Sequence, residues 1–239
     1  MKIALLGYGK MGKEIEQIAL KRNHEIVAKV DISNSSDFSV QKLKNADVAI
    51  EFSIPESAIN NIYKCFDANV PVVVGTTGWL KKLDEVKKKC NEKKQGLFYS
   101  SNYSIGVNIF FKLNSHLAKI MNVYEDYDVS LEEIHHAQKL DAPSGTGISL
   151  ANQVLEEVKR KKKFVNNAPE NMDDLVILSK REGEVPGTHI VTYNSAVDKI
   201  EIKHEAYSRK GFALGAVIAA EFMKNKKGIY GMDDLLKIV

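Results

Sequence analysis

A short apolar strand that runs directly into a glycine-rich turn constrains this chain more than any other feature. Residues 3–6 are continuously apolar, and the segment that follows, residues 7–12, reads GYGKMG. Apolar residues then recur at the spacing of one helix face, at Met11, Ile15, Ile18 and Ala19. In a strand–turn–helix unit, such glycines permit a tight turn, close approach of a pyrophosphate and helix–strand packing. We therefore expect a dinucleotide-binding unit; the alternative is a glycine turn in another kind of strand–helix unit.

Strand and helix patterns continue to alternate through the first hundred residues. Further apolar strands are predicted at residues 25–30, 47–52, 70–74 and 97–100, with helical patterns between them. Nearly continuous apolar strands separated by helices are typical of a parallel sheet that is covered on both faces. The first part of the chain is thus predicted to be an α/β domain of the Rossmann type, covering residues 1–103.

The pattern changes after residue 103 and predicts a second, α+β domain over residues 104–210. An amphipathic helix at 107–121 precedes strand-like segments at 127–135, 175–181, 188–194 and 199–207. Clustered strands with few helices between them favour a mixed or antiparallel sheet. Residues 211–223 form a nearly all-apolar helix that must be buried. We assign it to the first domain, which residues 211–239 would complete.

The polar residues at the ends of the early strands predict a nicotinamide cofactor. Asp31 follows the second strand, where a carboxylate accepts hydrogen bonds from the adenosine ribose and opposes a 2′-phosphate. The next three residues, Ile32, Ser33 and Asn34, bring no arginine, which favours NADH, while Lys29 leaves NADPH open. Two further loops would be plain turns in isolation, but beside a dinucleotide fold they become walls for the nicotinamide. These loops are Gly75, Thr76 and Thr77, and Ser100, Ser101, Asn102 and Tyr103.

Residues 135–146, HHAQKLDAPSGT, carry the strongest indication of catalysis. His135, His136 and Lys139 supply proton donors and a cation, and a helical pattern begins near Ser144. The first amides of a helix lack partners and bind anions, so this segment suits a carboxylate substrate that is protonated during the reaction. The plainer interpretation is one packed and one exposed histidine. No metal site is predicted, because adjacent strand histidines point to opposite faces and no third ligand stands at a useful spacing.

Composition excludes several other classes of protein. The 239 residues are 44% hydrophobic and 27% charged with a net charge of +3, which is too small to indicate nucleic-acid binding. No apolar stretch approaches membrane length, and two cysteines far from ligand spacing read as free thiols, so we expect a soluble, cytoplasmic protein. The basic run KRKKK at 159–163 is interpreted as a solvated helix end, with an anion or partner site as the alternative.

These motifs together resemble the 4-hydroxy-tetrahydrodipicolinate reductase family (dihydrodipicolinate reductases) of the diaminopimelate route to lysine. The resemblance covers nearly the whole chain. It is carried by GYGKMG, by GTTG at 75–78, by SSNYSIGVN at 100–108 and by EIHHAQKLDAPSGT at 133–146. REGEVPGTH at 181–189 and SRKGFALGA at 208–216 continue it in the same order.

The resemblance implies a role for each matching position. His135 would be the acid/base histidine and Lys139 the proton donor, while His136, Ser144, Gly145 and Thr146 would hold the dicarboxylate substrate. The cofactor would be held by Gly7, Tyr8, Gly9, Lys10, Met11, Gly12, Asp31 and the two loops at 75–77 and 100–103. The resemblance also implies a homotetramer built through the second domain's sheet, a sheet that has too few predicted helices to cover both its faces.

Two other functions remain open on the residues alone. One is a different nicotinamide-dependent oxidoreductase, such as an aspartate or amino-acid dehydrogenase, which leaves DAPSGT without a role. The other is a nucleotide-sensing binding protein without turnover, which gives no reason for His135 beside Lys139.

Overall fold

The computed structural model describes residues 1–31 and 39–237 of the chain. Ile32, Ser33 and Asn34, on which part of the NADH prediction rests, therefore lie outside the described residues. The chain divides into two compact units, the first formed by Met1–Ile105 with Lys210–Val239 and the second by Gly106–Arg209. No helix in the described part of the chain is long and apolar enough to cross a bilayer.

The first unit begins with alternating strands and helices, as predicted. They run in the order β1 (Lys2–Leu6), α1 (Lys10–Lys21), β2 (Glu25–Val30), α2 (Val40–Leu43), β3 (Val48–Glu51), α3 (Pro55–Asp67), β4 (Val72–Val74), a 3₁₀ turn (Leu80–Lys82), α4 (Leu83–Glu92) and β5 (Gly96–Tyr99). β3 and β4 are buried along their whole length and β1 from its second residue onward. Burial on both faces is what a parallel sheet requires, and it explains why these strands are continuously apolar.

The second unit is an α+β arrangement with a mixed sheet. Its elements are α5 (Ile105–Met121), which starts at the junction, β6 (Asp128–His135), α6 (Gly145–Glu157), β7 (Lys163–Asn166), β8 (Asp174–Arg181), β9 (Gly187–Asn194) and β10 (Lys199–Ala206). The strand order is β10-β9-β6-β8-β7. β9 is antiparallel to both β10 and β6, whereas β6, β8 and β7 are parallel. Side chains from α5 and α6 form one core with the inward-facing residues of this sheet.

The chain then returns to the first unit. α7 (Lys210–Met223), β11 (Gly228–Tyr230) and α8 (Met232–Leu236) complete a six-stranded parallel sheet of order β11-β5-β4-β3-β1-β2. Six apolar residues of α7 are fully buried in the core that also contains β1, which accounts for the apolar composition of this helix. A Cβ on Gly215 would lie 1.7 Å from the Tyr103 carbonyl oxygen, so only glycine permits this approach. The predicted fold class is confirmed.

The interpretation of the basic run as a solvated helix end is only partly right: three of its five residues are exposed, but the run follows the helix and one of its lysines is buried. α6 ends at Glu157, before the run begins, and Lys163 opens β7, a strand that the sequence did not predict. Lys161 is buried, and its ammonium donates to the carbonyls of Met172 and Asp174 at 2.9 and 2.8 Å. It also pairs with the Asp128 carboxylate at 2.7 Å. Lys161 thus holds the turn between α6 and β7, whereas Lys159, Lys162 and Lys163 are exposed.

Candidate active site

The glycine loop has the close backbone contacts that a dinucleotide-binding turn needs. Gly7 adopts a φ of +98°, and a Cβ there would lie 2.0 Å from the Phe52 carbonyl oxygen. A Cβ on Gly12 would lie 2.3 Å from the Gly7 oxygen, so this glycine allows α1 to pack against the turn. Around Gly9, by contrast, a Cβ would meet no atom within 4 Å. Gly9 is also the N-cap of α1 and provides no capping side chain. The open helix start fits a pyrophosphate.

The adenosine side of this loop is built from β2. The Gly7 amide donates to the Val30 carbonyl at 2.9 Å, which holds the exposed Asp31 next to the glycine turn. Lys29 pairs with Glu16 at 2.5 Å and lies 4.9 Å from the centre of the Tyr8 ring. The ammonium that would favour NADPH is thus already neutralised by a carboxylate.

The two loops predicted to flank the nicotinamide meet at the carboxyl edge of the sheet. Thr76 and Thr77 line a small cleft together with Ser100 and Ser101, between Trp79 and Tyr99. Ligands bind at this edge in open α/β sheets, because loops from neighbouring strands converge there. The structure therefore brings together two segments that are far apart in the sequence.

Tyr103 does not line that cleft. It is 2% exposed, its hydroxyl donates to the Val74 carbonyl at 2.7 Å, and its ring packs against Phe52 and Phe98. Its side chain anchors the loop, which leaves its backbone as the part that could touch a ligand. Burial of an aromatic side chain in the core outweighs its polar hydroxyl once that hydroxyl has a partner.

A buried carboxyl beneath the same edge was not predicted from the sequence. Glu51 ends β3 with no exposed surface, and burial raises the pKa of its carboxyl against the opposing hydrogen bonds from Ser53, Thr76 and Asn61. The Ser53 amide in turn donates to the Thr76 hydroxyl at 2.8 Å. This group links the turn after β3 to the turn after β4.

In the second unit, the end of β6 gathers the titratable side chains. His135 is the last residue of β6, and its Nδ1 lies 3.1 Å from Glu133 Oε2, two residues earlier on the same strand face. His189 of β9 is paired in register with Glu133, and its ring packs edge-on against His135 with centroids 5.1 Å apart. Glu133, His135 and His189 are 1%, 7% and 5% exposed. β6 and β9 therefore form one buried cluster.

Arg181 ties this cluster to the loop that carries Lys139. Its Nη2 donates to Glu133 Oε1 at 3.0 Å and to the Asp141 carbonyl at 2.5 Å, while its Nε donates to the Lys139 carbonyl at 3.3 Å. The planar guanidinium suits this bridging role, because its donors point in fixed directions. Arg181 thus binds the loop after β6 through backbone carbonyls, and these contacts do not involve the Lys139 side chain.

Lys139 itself faces a carboxylate. Its ammonium contacts both oxygens of Asp141, at 2.6 and 2.8 Å. The Lys139 ammonium holds the pKa of the Asp141 carboxyl below its usual range. Asp141 is largely exposed, so a substrate carboxylate could replace it as the partner of Lys139.

Helix α6 begins where the sequence predicts. Ser144 is its N-cap, and its hydroxyl accepts from the Gly147 amide at 3.1 Å and lies 3.2 Å from His189 Nε2. Ser144 is only 2% exposed, so its hydroxyl is directed into the protein. Gly145 is exposed and Thr146 half-buried, and as the first helical residues their amides have no intrahelical partner. Among residues 1–31 and 39–237, the Nδ1 atom of the half-buried His136 side chain has no hydrogen-bond partner.

The protonation states follow from burial and contacts. Burial alone would raise the pKa of the Glu133 carboxyl, but contacts with His135, Ser144 and Arg181 together hold it well below its usual range. Burial, with His135 as a lesser cause, lowers the pKa of His189 to about 4. At neutral pH the cluster thus contains a carboxylate beside His135 and a neutral imidazole at His189. The Glu133 carboxylate lies beside His135 Nδ1, which leaves His135 Nε2 for chemistry.

The sequence motifs assign no role to Glu133 and His189 of this cluster, or to Arg181 beside it. Glu133 could have been found, because residues two apart on a strand share a face. His189 and Arg181 lie in the REGEVPGTH segment that carries the resemblance, but their place beside His135 depends on strand pairing.

Comparisons with known proteins identify the family of this chain. Family models described as "Dihydrodipicolinate reductase, N-terminus" and "Dihydrodipicolinate reductase, C-terminus" match residues 1–103 and 106–236. A 4-hydroxy-tetrahydrodipicolinate reductase from Christiangramia forsetii is 52% identical over 241 residues, which cover 99% of this chain and 98% of that protein. One from Clostridium tetani is 35% identical over 251 residues, covering 99% of this chain and 97% of that protein.

A solved structure agrees as well. The dipicolinate-bound dihydrodipicolinate reductase from Paenisporosarcina sp. TG-14 superposes with a TM-score of 0.80 at 25% sequence identity. The match covers 98% of both chains. The resemblance drawn from the motifs is confirmed over both units, and the chain belongs to the dihydrodipicolinate reductase family.

Proposed function

We propose that this protein catalyses the NAD(P)H-dependent reduction of 4-hydroxy-tetrahydrodipicolinate to tetrahydrodipicolinate, in the diaminopimelate route to lysine. The observation that carries the proposal is the loop after β6. It joins His135, paired with Glu133, to Lys139 and to the open start of α6. Relatives that align over nearly the full chain bear the name of this reductase.

The first unit provides the cofactor site. The pyrophosphate would be held at the start of α1 by the glycine loop, which consists of Gly7, Tyr8, Gly9, Lys10, Met11 and Gly12. The Asp31 carboxylate would accept hydrogen bonds from the ribose hydroxyls. Thr76, Thr77, Ser100 and Ser101 line the nicotinamide side, with Gly75 and Asn102 shaping the two turns. The nicotinamide, when bound, supplies a hydride. Glu51 keeps the two turns at a fixed separation.

Proton delivery belongs to the second unit. Loss of the 4-hydroxyl group as water leaves an unsaturated ring conjugated to an imine. Hydride addition to that ring then gives an electron-rich carbon or nitrogen that takes up one proton. Lys139 donates it, and His135 serves as the acid/base group, with Glu133 orienting its imidazole. A positioned proton donor contributes about 10²–10⁴ in rate.

The dicarboxylate is bound at the start of α6. The amides of Gly145 and Thr146, together with the Thr146 hydroxyl, face one carboxylate of the substrate. The His136 side chain and the Lys139 ammonium complete the polar wall of this site. Ser144 acts mainly through the helix cap, since its hydroxyl accepts from Gly147. A cationic, amide-rich pocket stabilises charge that develops during the reaction.

We further propose a preference for NADH over NADPH. Asp31 lies beside the glycine loop, where its carboxylate repels a 2′-phosphate. Lys29 cannot offset that repulsion fully, since Glu16 already pairs with it at 2.5 Å.

Subunits are proposed to assemble as a homotetramer through the sheet of the second unit. α5 and α6 contribute to the core on one side of that sheet, whereas another side has a depression of about 350 Å³ lined by Ser130, Val176, Ile190 and Thr192. Leu178, which also lines this depression, is 37% exposed. Half-exposed apolar strand residues favour a partner surface. A monomer in sedimentation velocity at micromolar concentration would contradict this assembly.

We place the reaction in the cytoplasm. Cys65 and Cys90 are both buried free thiols, as expected in a reducing compartment.

The activity is tested by following NADH absorbance with substrate freshly generated by the preceding synthase. Aspartate and other amino acids, supplied with the oxidised cofactor, serve as rival substrates. We expect turnover with the synthase product only. Cofactor binding without turnover on any of these substrates would favour a nucleotide-sensing protein instead.

The residue roles are tested with three variants. Lys139→Ala should lower kcat by about 10²-fold or more while the NADH dissociation constant stays nearly unchanged. His135→Ala should lower kcat by a similar factor. The double variant should lower kcat by less than the product of the two single factors. Thr146→Val should raise KM more than it lowers kcat, because it removes a hydroxyl from the carboxylate site. Near-normal turnover by Lys139→Ala would refute the mechanism.

A further inference from the structure

We propose that Glu133, His135 and His189 form a binding site for a divalent transition metal, best suited to Zn²⁺, and that occupation of this site inhibits the enzyme. One ligand atom from each of the three side chains lies within 4.8 Å of the other two. The spacing along the sequence predicts no metal site, because no third ligand stands near the two adjacent histidines. The structure brings His189 to His135 from a neighbouring strand.

The donor atoms are buried and incompletely satisfied. Glu133 Oε2 and His135 Nδ1 have no hydrogen-bond partner of good geometry among residues 1–31 and 39–237, although they lie 3.1 Å apart. Each of the three side chains is more than nine-tenths buried. Unsatisfied buried polar atoms are uncommon in native proteins, and an ion is one of the ways in which they are satisfied.

The spacing of these atoms suits tetrahedral coordination. Zn²⁺ binds histidine nitrogen at about 2.0–2.1 Å and carboxylate oxygen at about 2.0–2.2 Å, which puts neighbouring ligands about 3.3 Å apart. Glu133 Oε2 lies 3.1 Å from His135 Nδ1 and 3.9 Å from His189 Nε2. The ligand nitrogens of His135 and His189 lie within 4.8 Å of each other, so the imidazoles would shift toward the ion to reach coordinating distance.

The surroundings support a monodentate carboxylate ligand. Arg181 holds Glu133 Oε1 at 3.0 Å and leaves Oε2 facing the histidines. A hydrogen bond to the oxygen that does not bind the metal orients a carboxylate ligand. Ser144 Oγ, 3.2 Å from His189 Nε2, marks a fourth position that a water or the hydroxyl would fill. Two imidazoles and one carboxylate suit Zn²⁺ and Co²⁺ rather than Mg²⁺ or Ca²⁺.

The nearby guanidinium limits the affinity. Its positive charge opposes a divalent ion, so we expect reversible, micromolar binding rather than a permanently held structural metal. A bound ion would take the Nδ1 of His135 and displace its contact with Glu133. The inhibition thus rests on the proposed function of His135, whereas the binding itself does not.

Binding is measured first, without reference to activity. Untagged protein is freed of metal with a chelator, dialysed, and titrated with ZnCl₂ by calorimetry. Co²⁺ then serves as a spectroscopic probe, since tetrahedral Co²⁺ absorbs far more strongly in the visible range than octahedral Co²⁺. We expect one ion per chain and an intense Co²⁺ spectrum.

Two variants and a matched control locate the ion. Glu133→Gln and His189→Asn should each weaken Zn²⁺ binding at least tenfold and reduce the Co²⁺ absorbance. His116→Asn removes an exposed histidine of α5 and should leave both unchanged. Circular dichroism checks that each variant is folded, and His189→Asn stands as the test if Glu133→Gln is not. Unchanged affinity in the folded variants, or a weak octahedral Co²⁺ spectrum in the parent enzyme, would overturn the site.

Inhibition is measured second, with NADH and the synthase product. Pyridine dicarboxylates are excluded from this assay because they chelate metals themselves. Activity should fall as the site fills, with a midpoint that matches the calorimetric dissociation constant. If the protein binds Zn²⁺ but has no reductase activity, the proposed function is refuted and the metal site is supported. If the protein is an active reductase but binds no Zn²⁺ at these residues, the metal site is refuted and the proposed function is supported.

Discussion

The buried His189 makes the stability of the second unit depend on pH in a predictable direction. Its pKa is lowered from 6.5 to about 4, mainly because burial disfavours the charged imidazole. Between those two values the unfolded chain binds a proton that the folded chain does not, so stability falls as the pH decreases through this window. Applying the two pKa values to a change from pH 8 to pH 5 gives a loss of about 2 kcal/mol.

The His189→Asn variant isolates this contribution. Asparagine does not titrate, yet it can still contact Ser144, so the variant should lose about 2 kcal/mol less than the parent over the same pH change. His204, whose pKa burial also lowers, is present in both proteins. The pKa of the Glu133 carboxyl is below its usual range, so this group changes the stability of the folded state mainly at lower pH. The comparison between pH 8 and pH 5 therefore reports on His189.

The measurement must follow the second unit. The single tryptophan, Trp79, lies in the first unit, so its fluorescence would report the wrong transition. Urea unfolding is better followed by hydrogen exchange of peptides from β6 and β9, whose protection reports local stability. An equal pH dependence in the parent and His189→Asn, or an imidazole pKa above 6 measured by NMR, would refute the reasoning.

Three further outcomes are expected. Asp31→Ala should weaken NADH binding more than NADPH binding in fluorescence titrations, and a tenfold parental preference for NADPH would contradict our reading. Gly215→Ala should destabilise the protein by about 2–3 kcal/mol in thermal unfolding, because its Cβ would meet the Tyr103 carbonyl at 1.7 Å. Gly211→Ala, with its nearest contact at 3.7 Å, is the matched control. Arg181→Lys should lower kcat by about tenfold with little change in KM, since lysine lacks the planar fork that bridges carboxylate and carbonyls; unchanged kcat would exclude that role.

Local sequence was sufficient for much of the architecture. The turn at Gly7 needs a positive φ that glycine adopts readily, and the continuous apolar strands beside it could be buried only in a sheet covered on both faces. Ser144 was likewise recognisable as a helix start from its position before a helical pattern. These features depend on a few neighbouring residues, and the structure has them where the sequence predicts.

Other features could not be inferred from neighbouring residues. The position of Tyr103 in a loop after a strand suggested a ligand contact, but its large ring is buried once β4 and β5 align beside it. The charge of Lys161 suggested solvent, but three oxygens from distant segments surround it. In both cases a polar group found partners within the fold, and the apolar part of the side chain decided its place.

The sequence by itself determined the two kinds of sheet, the glycine turn and the segment that carries His135 and Lys139. Only the tertiary structure decided that His189 and Arg181 lie beside the pair formed by Glu133 and His135. Periodicity fixes which face of a strand a residue occupies, because successive side chains alternate. It does not fix which residue of another strand lies opposite, since register depends on how whole strands pair and pack. The pairing of β6 with β9 and β8 therefore created a cluster that no local pattern contains.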